Sequence, residues 1–473
     1  MSGPRAIAVV DVGYTNTKVI LFSPQLEILA ERKMASSHAR GLHYREIDME
    51  PMLAFIGATL RELDAISPID RIVTSAHGAC IVSLTADGNL SVPIMDYMSD
   101  PPAELIAAYA KVAPSFAETY SPQLPVALLH AMQLFWQARV LPKEFAKSTT
   151  ILPLMQYVGY RLGGKAVTEI SAMGCQSHLL DLNTFAPSRL AVSEGWAKKF
   201  PPLAKAWEVI GTLRPEIGGS HFRGLGEIAA GVHDSNANFL RYLASGRQHF
   251  TLLSTGTWII GFDSDTPLSA LDETRDTVAN VSVLGKPVAC CRFFGGKEFE
   301  VLAKGAPGTA ATMAVVQDLI DRGTMALPSF ADGGGPIANT AKKGRIIGPQ
   351  PVTPEENASL ASLYCALMVS ESLDAIQSRH GIIVDGPFSQ NYVFLSLLAN
   401  LRTTQKLFAS DITDGTAAGA ACLGLMNDGQ LPKIDTRLRQ IAASGPTLAA
   451  YQRRWRDFTI EDPKPSLNIQ GAH

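Results

Sequence analysis

Residues 9–21 read Val-Val-Asp-Val-Gly-Tyr-Thr-Asn-Thr-Lys-Val-Ile-Leu, and this stretch decides the fold. An apolar run that starts at Ile7 ends at Asp11, a short polar bend follows, and a second apolar run continues to Phe22. The pattern predicts a β-hairpin with an acid at its bend. The carboxylate suits Mg²⁺, which prefers oxygen ligands, and the bend could hold a metal–phosphate group, although an ordinary hairpin with a polar turn explains the same pattern. The candidate ligand groups of the bend are Asp11, Gly13, Thr15, Asn16 and Lys18.

A second strand–turn–strand pattern lies in the other half of the chain, at residues 250–263. Its bend, Ser254 to Thr257, is again small and rich in hydroxyl groups. Thr255, Gly256 and Thr257 offer hydroxyls and backbone N–H groups of the kind that bind phosphate oxygens, whereas the simpler alternative is a hairpin turn. One such bend per half predicts a duplicated architecture whose halves meet over a shared ligand.

The composition is that of a globular protein with more than one core. A chain of 473 residues predicts two domains, with three as an alternative. The net charge of −3 gives no electrostatic reason to expect nucleic acid or an anionic membrane as a partner. No apolar run reaches the roughly 18 residues of a membrane span, and no signal peptide is visible. The six cysteines lack a C-x-x-C pair, which favours reduced, buried thiols and a cytoplasmic location.

Two further segments carry candidate chemistry. Asp234 stands just before a predicted helix, where it could accept a proton from a substrate hydroxyl, although a helix N-cap is the simpler local explanation. The stretch Asp385-Gly-Pro-Phe-Ser-Gln-Asn follows a predicted strand and precedes a predicted helix, a common nucleotide position, with a plain loop as the alternative. Downstream, Asp414 opens a predicted helix of small residues, which permits either close backbone packing or close approach by a ligand.

Several familiar patterns are missing. No G-x-x-x-x-G-K-[ST] occurs, since the run from Gly295 to Glu298 fails at its last position, and no G-x-G-x-x-G follows a strand. A P-loop enzyme and a standard NAD dehydrogenase are therefore disfavoured. The remaining histidines show no metal-ligand spacing and are interpreted as surface or packing residues: His38, His43, His130, His178, His221, His249 and His380.

Taken in order, these stretches resemble the FGGY carbohydrate kinases over residues 6 to about 430. The resemblance rests on the segment from Asp11 to Lys18, on residues 152–171, on Gly231-Val-His-Asp, on Ser254-Thr-Gly-Thr, and on Asp385 to Asn391 together with Gly415-Thr-Ala-Ala-Gly. It implies an α/β fold with two ribonuclease H-like domains, as in actin and hexokinase, around a central cleft that binds ATP and a sugar.

The resemblance also implies roles for particular residues. Asp234 would be the general base of phosphoryl transfer from ATP to a sugar hydroxyl, and Asp11 would hold Mg²⁺ through water. The two bends would position phosphates, while Gly386 and Asn391 would line the adenosine pocket. Within the family, the overall sequence pattern is most similar to the deoxy-ketose branch, the L-fuculose and L-rhamnulose kinases.

This chain departs from the family pattern at three places. Tyr14 stands where threonine is usual, and Pro387 and Phe388 replace two of three glycines in the adenosine loop. The frequent Trp-x-Asp-x-Arg of the sugar site is missing. The candidate sugar contacts are therefore His77, Gly78, Asp96 and Tyr97, with Asp234 beside them.

The expected domains are residues 1–247 with the sugar site and the base, residues 248–441 with the nucleotide site, and residues 442–473 as a helix and tail, disordered after about Pro463. The expected partners are a small sugar and, as one option, a second copy of the chain. Two other functions stay open. One is a non-catalytic actin-fold sensor of sugar or nucleotide, and the other is a kinase for a polyol or a small acid.

Overall fold

The computed structural model describes residues 5–331, 333–411 and 414–460. The strands of its N-terminal half are β1 (Ile7–Val12), β2 (Asn16–Phe22), β3 (Ile28–Ala35), β4 (His38–Arg40), β5 (Arg45–Ile47), β6 (Arg71–Ala76), β7 (Ile81–Leu84), β8 (Thr150–Pro153), β9 (Thr168–Glu169), β10 (Leu203–Ala204), β11 (Val209–Thr212), β12 (Glu227–Ala229) and β13 (Val232–His233). The helices of this half are α1 (Met49–Ile66), α2 (Ala103–Ala110), α3 (Phe116–Thr119), α4 (His130–Val140), α5 (Pro142–Phe145), α6 (Leu154–Leu162), α7 (Ile170–Met173), α8 (Arg189–Ser193), α9 (Pro215–Gly218) and α10 (Asp234–Ala244).

The C-terminal half has the same mixed character. Its strands are β14 (Phe250–Thr255), β15 (Ile259–Asp263), β16 (Thr277–Val281), β17 (Pro287–Phe293), β18 (Met325–Leu327), β19 (Arg345–Ile347), β20 (Gly381–Asp385), β21 (Leu407–Ser410) and β22 (Leu438–Ile441). Its helices are α11 (Gly295–Ala303), α12 (Met313–Asp321), α13 (Pro354–Ala375), α14 (Tyr392–Leu401), α15 (Gly415–Leu425) and α16 (Ala449–Ile460).

Each half is built on one twisted sheet with the same central order. In the first sheet, β3, β2, β1 and β6 lie side by side, with β12 and β13 beyond β6; β1 is antiparallel to β2 and parallel to β6. In the second sheet, β17, β15, β14, β20 and β21 follow that order, and β14 is antiparallel to β15 and parallel to β20. The repeated order confirms the α/β fold class and the duplicated architecture that the two hairpins predicted.

The two halves meet along α10 and α15, and α15 also packs against β1 and β6 of the first sheet. Helix α15 is made of small residues, and its Gly419 lies so close to α10 that an added Cβ would collide with the carbonyl oxygen of Ala237. This contact confirms the close backbone packing predicted for the segment. Because both helices begin at the cleft, the packing brings Asp234 and Asp414 to the same region.

The long helix α13 is the central helix of the second half. It is buried on nearly all sides because α11, α12 and α14 pack around it. The domain limits stay predictions, and the tail predicted to be disordered after about Pro463 lies outside the described residues.

All six cysteines are buried and free, as the sequence predicted. Among the described residues, no helix combines the length and the apolar character that crossing a bilayer would require. The C-terminal helix α16 packs on the second half, where the Trp455 indole N–H donates to the carbonyl oxygen of Ala326 at 2.8 Å.

Candidate active site

A cavity of about 290 Å³ lies between the two halves, at the ends of the central strands. The first half contributes His77, Tyr97 and Asp234 to its wall, and the second contributes the bend from Thr255 to Trp258, together with Arg292. The second predicted bend therefore lines the cavity, and Asp11, next to the first bend, lies close enough to Asp234 for the two carboxylates to influence each other. The volume is near the lower end of the range of about 300–1,000 Å³ for small-molecule sites, as suits a monosaccharide-sized ligand.

Asp11 ends β1 and is almost fully buried, with 9% of its surface exposed. Its Oδ1 atom has no hydrogen-bond partner. Burial and the neighbouring carboxylates of Asp234 and Asp414 raise the pKa of Asp11 to about 7, although Lys18 acts in the opposite direction. A buried carboxylate oxygen without a partner, close to other acids, is the environment in which a divalent cation is stabilising, so the residues fit the predicted Mg²⁺ site.

Asp234 is the first residue of α10 and its side chain is 32% exposed toward the cavity. The N-cap position is taken by His233, so the cap explanation for Asp234 does not hold. Its Oδ1 accepts the backbone N–H of Ser235 at 2.5 Å and lies 3.1 Å from Nε2 of His233. Partial burial acts to raise the pKa of Asp234, but the hydrogen bond and charge of His233 and the Ser235 amide outweigh it and lower the pKa.

The two histidines beside Asp234 differ in charge. Burial lowers the pKa of His77 to about 4, so its imidazole is neutral near pH 7. Burial also disfavours the charged form of His233, but the Cys175 sulfur and the Asp234 carboxylate raise the pKa of His233 to about 10. Asp234 therefore stays ionised near neutral pH, held by one imidazolium, and can accept a proton from a bound hydroxyl.

Asp96, predicted to contact the sugar, is fully buried. Its Oδ2 lies 3.1 Å from Nδ1 of His38 and 3.3 Å from Nε of Arg45, and it accepts the hydroxyl of Tyr14 at 3.3 Å. The neighbouring Tyr97 lines the cavity, whereas Asp96 fixes the segment that carries it. A direct sugar contact by Asp96 stays a prediction.

Tyr14 occupies the position where the family usually has threonine. Its ring packs at 4.6 Å from the ring of His38 and at 4.9 Å from that of Tyr97, with His77 at 6.4 Å. The side chain therefore points away from the tip of the first bend and packs against His77 and Tyr97, which line the cavity. Through these ring contacts, Tyr14 connects the first bend to the segment that ends at Tyr97.

The first bend is held by its own backbone. Gly13 donates to the carbonyl oxygen of Asn16 at 3.0 Å, and the Ser36 hydroxyl donates to that of Gly13 at 2.7 Å. These bonds leave the side chains of Thr15 and Asn16 exposed at the tip, where the sequence predicted phosphate contacts. Lys18, predicted to face the same ligand, instead places its Nζ 2.6 Å from Oδ2 of Asp414.

In the second bend, Thr255 and Thr257 differ in their exposure to solvent. The Thr255 hydroxyl is buried, donates to the carbonyl oxygen of Asp385 at 2.5 Å and accepts the N–H of Phe388 at 3.1 Å. It therefore fastens the bend to the loop that was predicted to bind adenosine. Thr257 is exposed, and the N–H of Gly256 donates to the carbonyl oxygen of Trp258 at 2.8 Å.

The predicted adenosine loop is tightly packed. Gly386 has φ of +88°, and an added Cβ would collide with the carbonyl oxygen of Thr255, so glycine is required. The bulk of Phe388 points inward, with its ring 5.6 Å from Phe299 and 4.9 Å from Phe394.

Asn391 supports this loop from behind. Its side chain accepts the Phe394 N–H at 3.0 Å as the cap of α14 and donates to the Ser362 hydroxyl at 2.9 Å. An adenosine contact by Asn391 stays a prediction.

The sequence interpretation missed one wall of the cavity. The guanidinium of Arg292 is held by Asp276 through two bonds of 2.8 and 3.1 Å and lies 5.0 Å over the ring of Trp258, which stacks on Phe294 at 4.2 Å. Asn280 lines the same cavity. A charged residue inside the otherwise apolar run 287–293 was the available signal for Arg292, because a buried charge needs a specific partner.

Comparison with known proteins agrees with this geometry. Residues 247–433 match the profile of the family described as "Carbohydrate kinase FGGY, C-terminal domain". A carbohydrate kinase of known crystal structure from Novosphingobium aromaticivorans is 31% identical, with a TM-score of 0.83, and the match covers 97% of this chain and 99% of that one. A xylulose kinase from Rhodospirillum rubrum, 19% identical, shows the same fold with a TM-score of 0.76 over 96% of this chain and 98% of the other.

A curated relative matches more locally. The rhamnulokinase of Ligilactobacillus salivarius (strain UCC118) is 28% identical over 151 residues, which are 31% of this chain and 30% of that protein. The chain therefore aligns with less than a third of that relative. The structural match, in contrast, extends over nearly the whole of both chains.

The fold and the cleft define an ATP-dependent phosphotransferase of the actin and hexokinase type. The chain belongs to the FGGY family of carbohydrate kinases. The predicted enzyme class, a sugar kinase, is confirmed at the level of this family.

Proposed function

We propose that this protein transfers the γ-phosphoryl group of ATP to a hydroxyl of a ketose, with Asp234 as the general base. The observation that carries the proposal is the placement of two acids around one cleft. Asp234 faces the monosaccharide-sized cavity as a stable carboxylate, and Asp11 presents a buried oxygen without a partner beside the first bend. A sensor that only binds its ligand would need neither group.

Phosphoryl transfer is catalysed mainly by positioning of the reactants and by electrostatic stabilisation. The sugar oxygen forms a bond to the γ-phosphorus while the bond from that phosphorus to the leaving oxygen of ADP breaks, and the hydroxyl proton moves to Asp234. The His233 imidazolium holds the Asp234 carboxylate in place at 3.1 Å. Closure of the two halves would exclude water, which would otherwise compete as the acceptor.

The metal would be Mg²⁺, held through Asp11, with Asp234 and Asp414 adding negative charge nearby. When bound, it would neutralise the phosphates of the nucleotide. The exposed tips of the two bends, Thr15 with Asn16 and Thr257, would position the phosphate oxygens. The loop at Gly386 would lie against the adenosine.

For the acceptor, we propose a deoxy-ketose of the L-rhamnulose or L-fuculose type. Part of the cavity wall is apolar and includes Leu128, Ile260, Phe262 and Val278. Such a surface accommodates the methyl group of a deoxy sugar better than the hydroxyl group of its parent, because a hydroxyl there would lose its hydrogen bonds. The local similarity to a rhamnulokinase supports the same class.

A panel of acceptors tests the proposal. ADP release would be measured with Mg·ATP and L-rhamnulose, L-fuculose, their non-deoxy counterparts, D-xylulose, D-gluconate and glycerol. We expect the highest kcat/KM for a deoxy-ketose and a lower value for its hydroxylated counterpart. A clear preference for glycerol or gluconate would contradict the acceptor, and no turnover with any sugar would contradict the kinase activity. A homodimer and a cytoplasmic location stay predictions.

A further inference from the structure

Two histidines and an aspartate that are far apart in the sequence converge at the edge of the second sheet. Nδ1 of His249 lies 2.8 Å from Oδ1 of Asp265, and Nε2 of His380 lies 3.4 Å from Oδ2 of the same carboxylate. The three ligand atoms all lie within 4.8 Å of one another. The sequence interpretation of His249 and His380 as plain surface residues missed this arrangement, because their spacing of more than one hundred residues follows no ligand pattern.

The register of the sheet produces the cluster. His249 precedes β14, Asp265 follows β15 and His380 precedes β20; the pairs Thr251↔Asp263 and Phe250↔Gly381 place these three flanking residues side by side. Neighbouring strands are about 4.7–4.9 Å apart, so the backbone of His249 lies between those of the other two residues. The three exposed side chains project from positions that directly flank three paired strands.

A buried hydrogen-bond network supports the cluster from below. The carboxylate of Asp263 accepts the backbone N–H of Asp265 at 3.0 Å and the hydroxyl of Thr251 at 2.6 Å, and both Asp263 and Thr251 are buried. The amide of Gln405 donates to the carbonyl oxygen of His380 at 2.6 Å. These bonds hold the backbone from which the Asp265 and His380 side chains project.

We propose that His249, Asp265 and His380 form a binding site for a borderline transition-metal ion, of which Zn²⁺ is the reference case. Two imidazoles and one carboxylate are the ligand set that zinc takes when water fills the fourth position. The site is separate from the catalytic cleft, since β14 runs from His249 to the phosphate bend and at about 3.3 Å per residue separates the two by roughly 20 Å. The bound ion would join three strands and stabilise the second half without taking part in phosphoryl transfer.

The test uses untagged protein in metal-free buffer, titrated with ZnCl₂ in a calorimeter. We expect one saturable site per chain and a loss of affinity of at least about tenfold in His380→Ala and in Asp265→Asn. His221→Ala, which removes an exposed histidine elsewhere, is the matched control and should bind as the wild type does. Zinc should also raise the Tm of the wild type but not of the two variants, because a ligand that binds only the folded state stabilises it.

The proposal is overturned if the wild type shows no saturable uptake, or if His380→Ala and Asp265→Asn bind zinc with unchanged affinity and stoichiometry. The second result would place any bound zinc elsewhere, for example at the thiol of Cys175 in the cleft. Turnover with Mg·ATP should be the same in His380→Ala as in the wild type, so failure of the metal site and failure of the kinase assignment are distinguishable.

Discussion

The Nζ of Lys18 lies 2.6 Å from Oδ2 of Asp414, and this ion pair joins the first hairpin to the start of α15 in the other half of the protein. Both side chains are largely buried, with 29% and 13% of their surfaces exposed. Asp414 also caps α15 by accepting the backbone N–H of Ala417 at 3.1 Å. The pair therefore ties the two halves together beside the proposed metal site.

Lys18→Met and Asp414→Asn should each destabilise the fold, and their effects should not add. Because each variant removes the same interaction, the coupling energy should be about 0.5–3 kcal/mol. Urea unfolding of the wild type, the two single variants and the double variant measures it. Additive effects, together with a rise in the KM for ATP in Lys18→Met alone, would mean that Lys18 contacts the nucleotide instead of Asp414.

Asp11→Asn should change the pH dependence of stability. The folded-state pKa of Asp11 is about 7, above its ordinary value of 3.8, so the folded protein binds the proton more tightly than the unfolded chain. Stability from this group is therefore present at low pH and is lost as the pH rises through about 7. In metal-free buffer the variant should have the higher Tm at pH 8, and the difference should narrow at pH 5.

Two controls accompany this measurement. Mg²⁺ should raise the Tm of the wild type at pH 8 but not that of Asp11→Asn. Asp70→Asn should have the opposite sign, because the hydrogen bond from Arg5 lowers the pKa of Asp70 from 3.8 to about 2. The stability from this carboxylate is therefore fully present above pH 3.8 and is lost as the pH falls toward 2. A wild-type protein that is more stable than Asp11→Asn at pH 8 without metal would contradict the raised pKa.

Gly386→Ala should weaken ATP binding and lower the Tm. The added Cβ would collide with the carbonyl oxygen of Thr255, so the predicted adenosine loop must move away from the second bend. Gly285→Ala is the matched control, since Gly285 also has a positive φ, +76°, but open space around its α carbon. Calorimetry with ATP and thermal unfolding of both variants separate the effect of the collision from that of the backbone strain. Equal losses of Tm and of ATP affinity in the two variants would show that the protein relieves the collision.

The elements around the hairpins could be predicted from sequence because their signals are local. The two apolar runs between Ile7 and Phe22 predict their own strands, and the ordered motifs predict that Asp11 and Asp234 lie in one cleft. The charge in the apolar run 287–293 marks Arg292 as unusual, but its place over Trp258 could not be predicted, because it depends on the pairing of β17 with β15. For the same reason, His249 and His380 converge only through the register of the sheet.

Trp258→Ala should weaken binding of the sugar acceptor and leave binding of ATP unchanged. The indole forms one wall of the cavity and stacks on Phe294, so its loss removes a contact surface and enlarges the site. We expect the KM for the sugar to rise by about tenfold, which corresponds to about 1.4 kcal/mol of binding energy, with the KM for ATP unchanged. Trp258→Phe should recover part of the loss. A rise in the KM for ATP alone would place the indole on the nucleotide side.

Asp234→Asn tests the role of Asp234 as the general base, because it keeps the shape of the side chain and removes its capacity to accept a proton. Single-turnover transfer of phosphate from ATP to the best acceptor of the panel would be measured beside calorimetric binding of ATP. We expect the rate of transfer to fall by about 10²- to 10⁴-fold while the Kd for ATP stays within a few-fold of the wild type. Transfer at the wild-type rate in Asp234→Asn would show that Asp234 is not the general base of phosphoryl transfer.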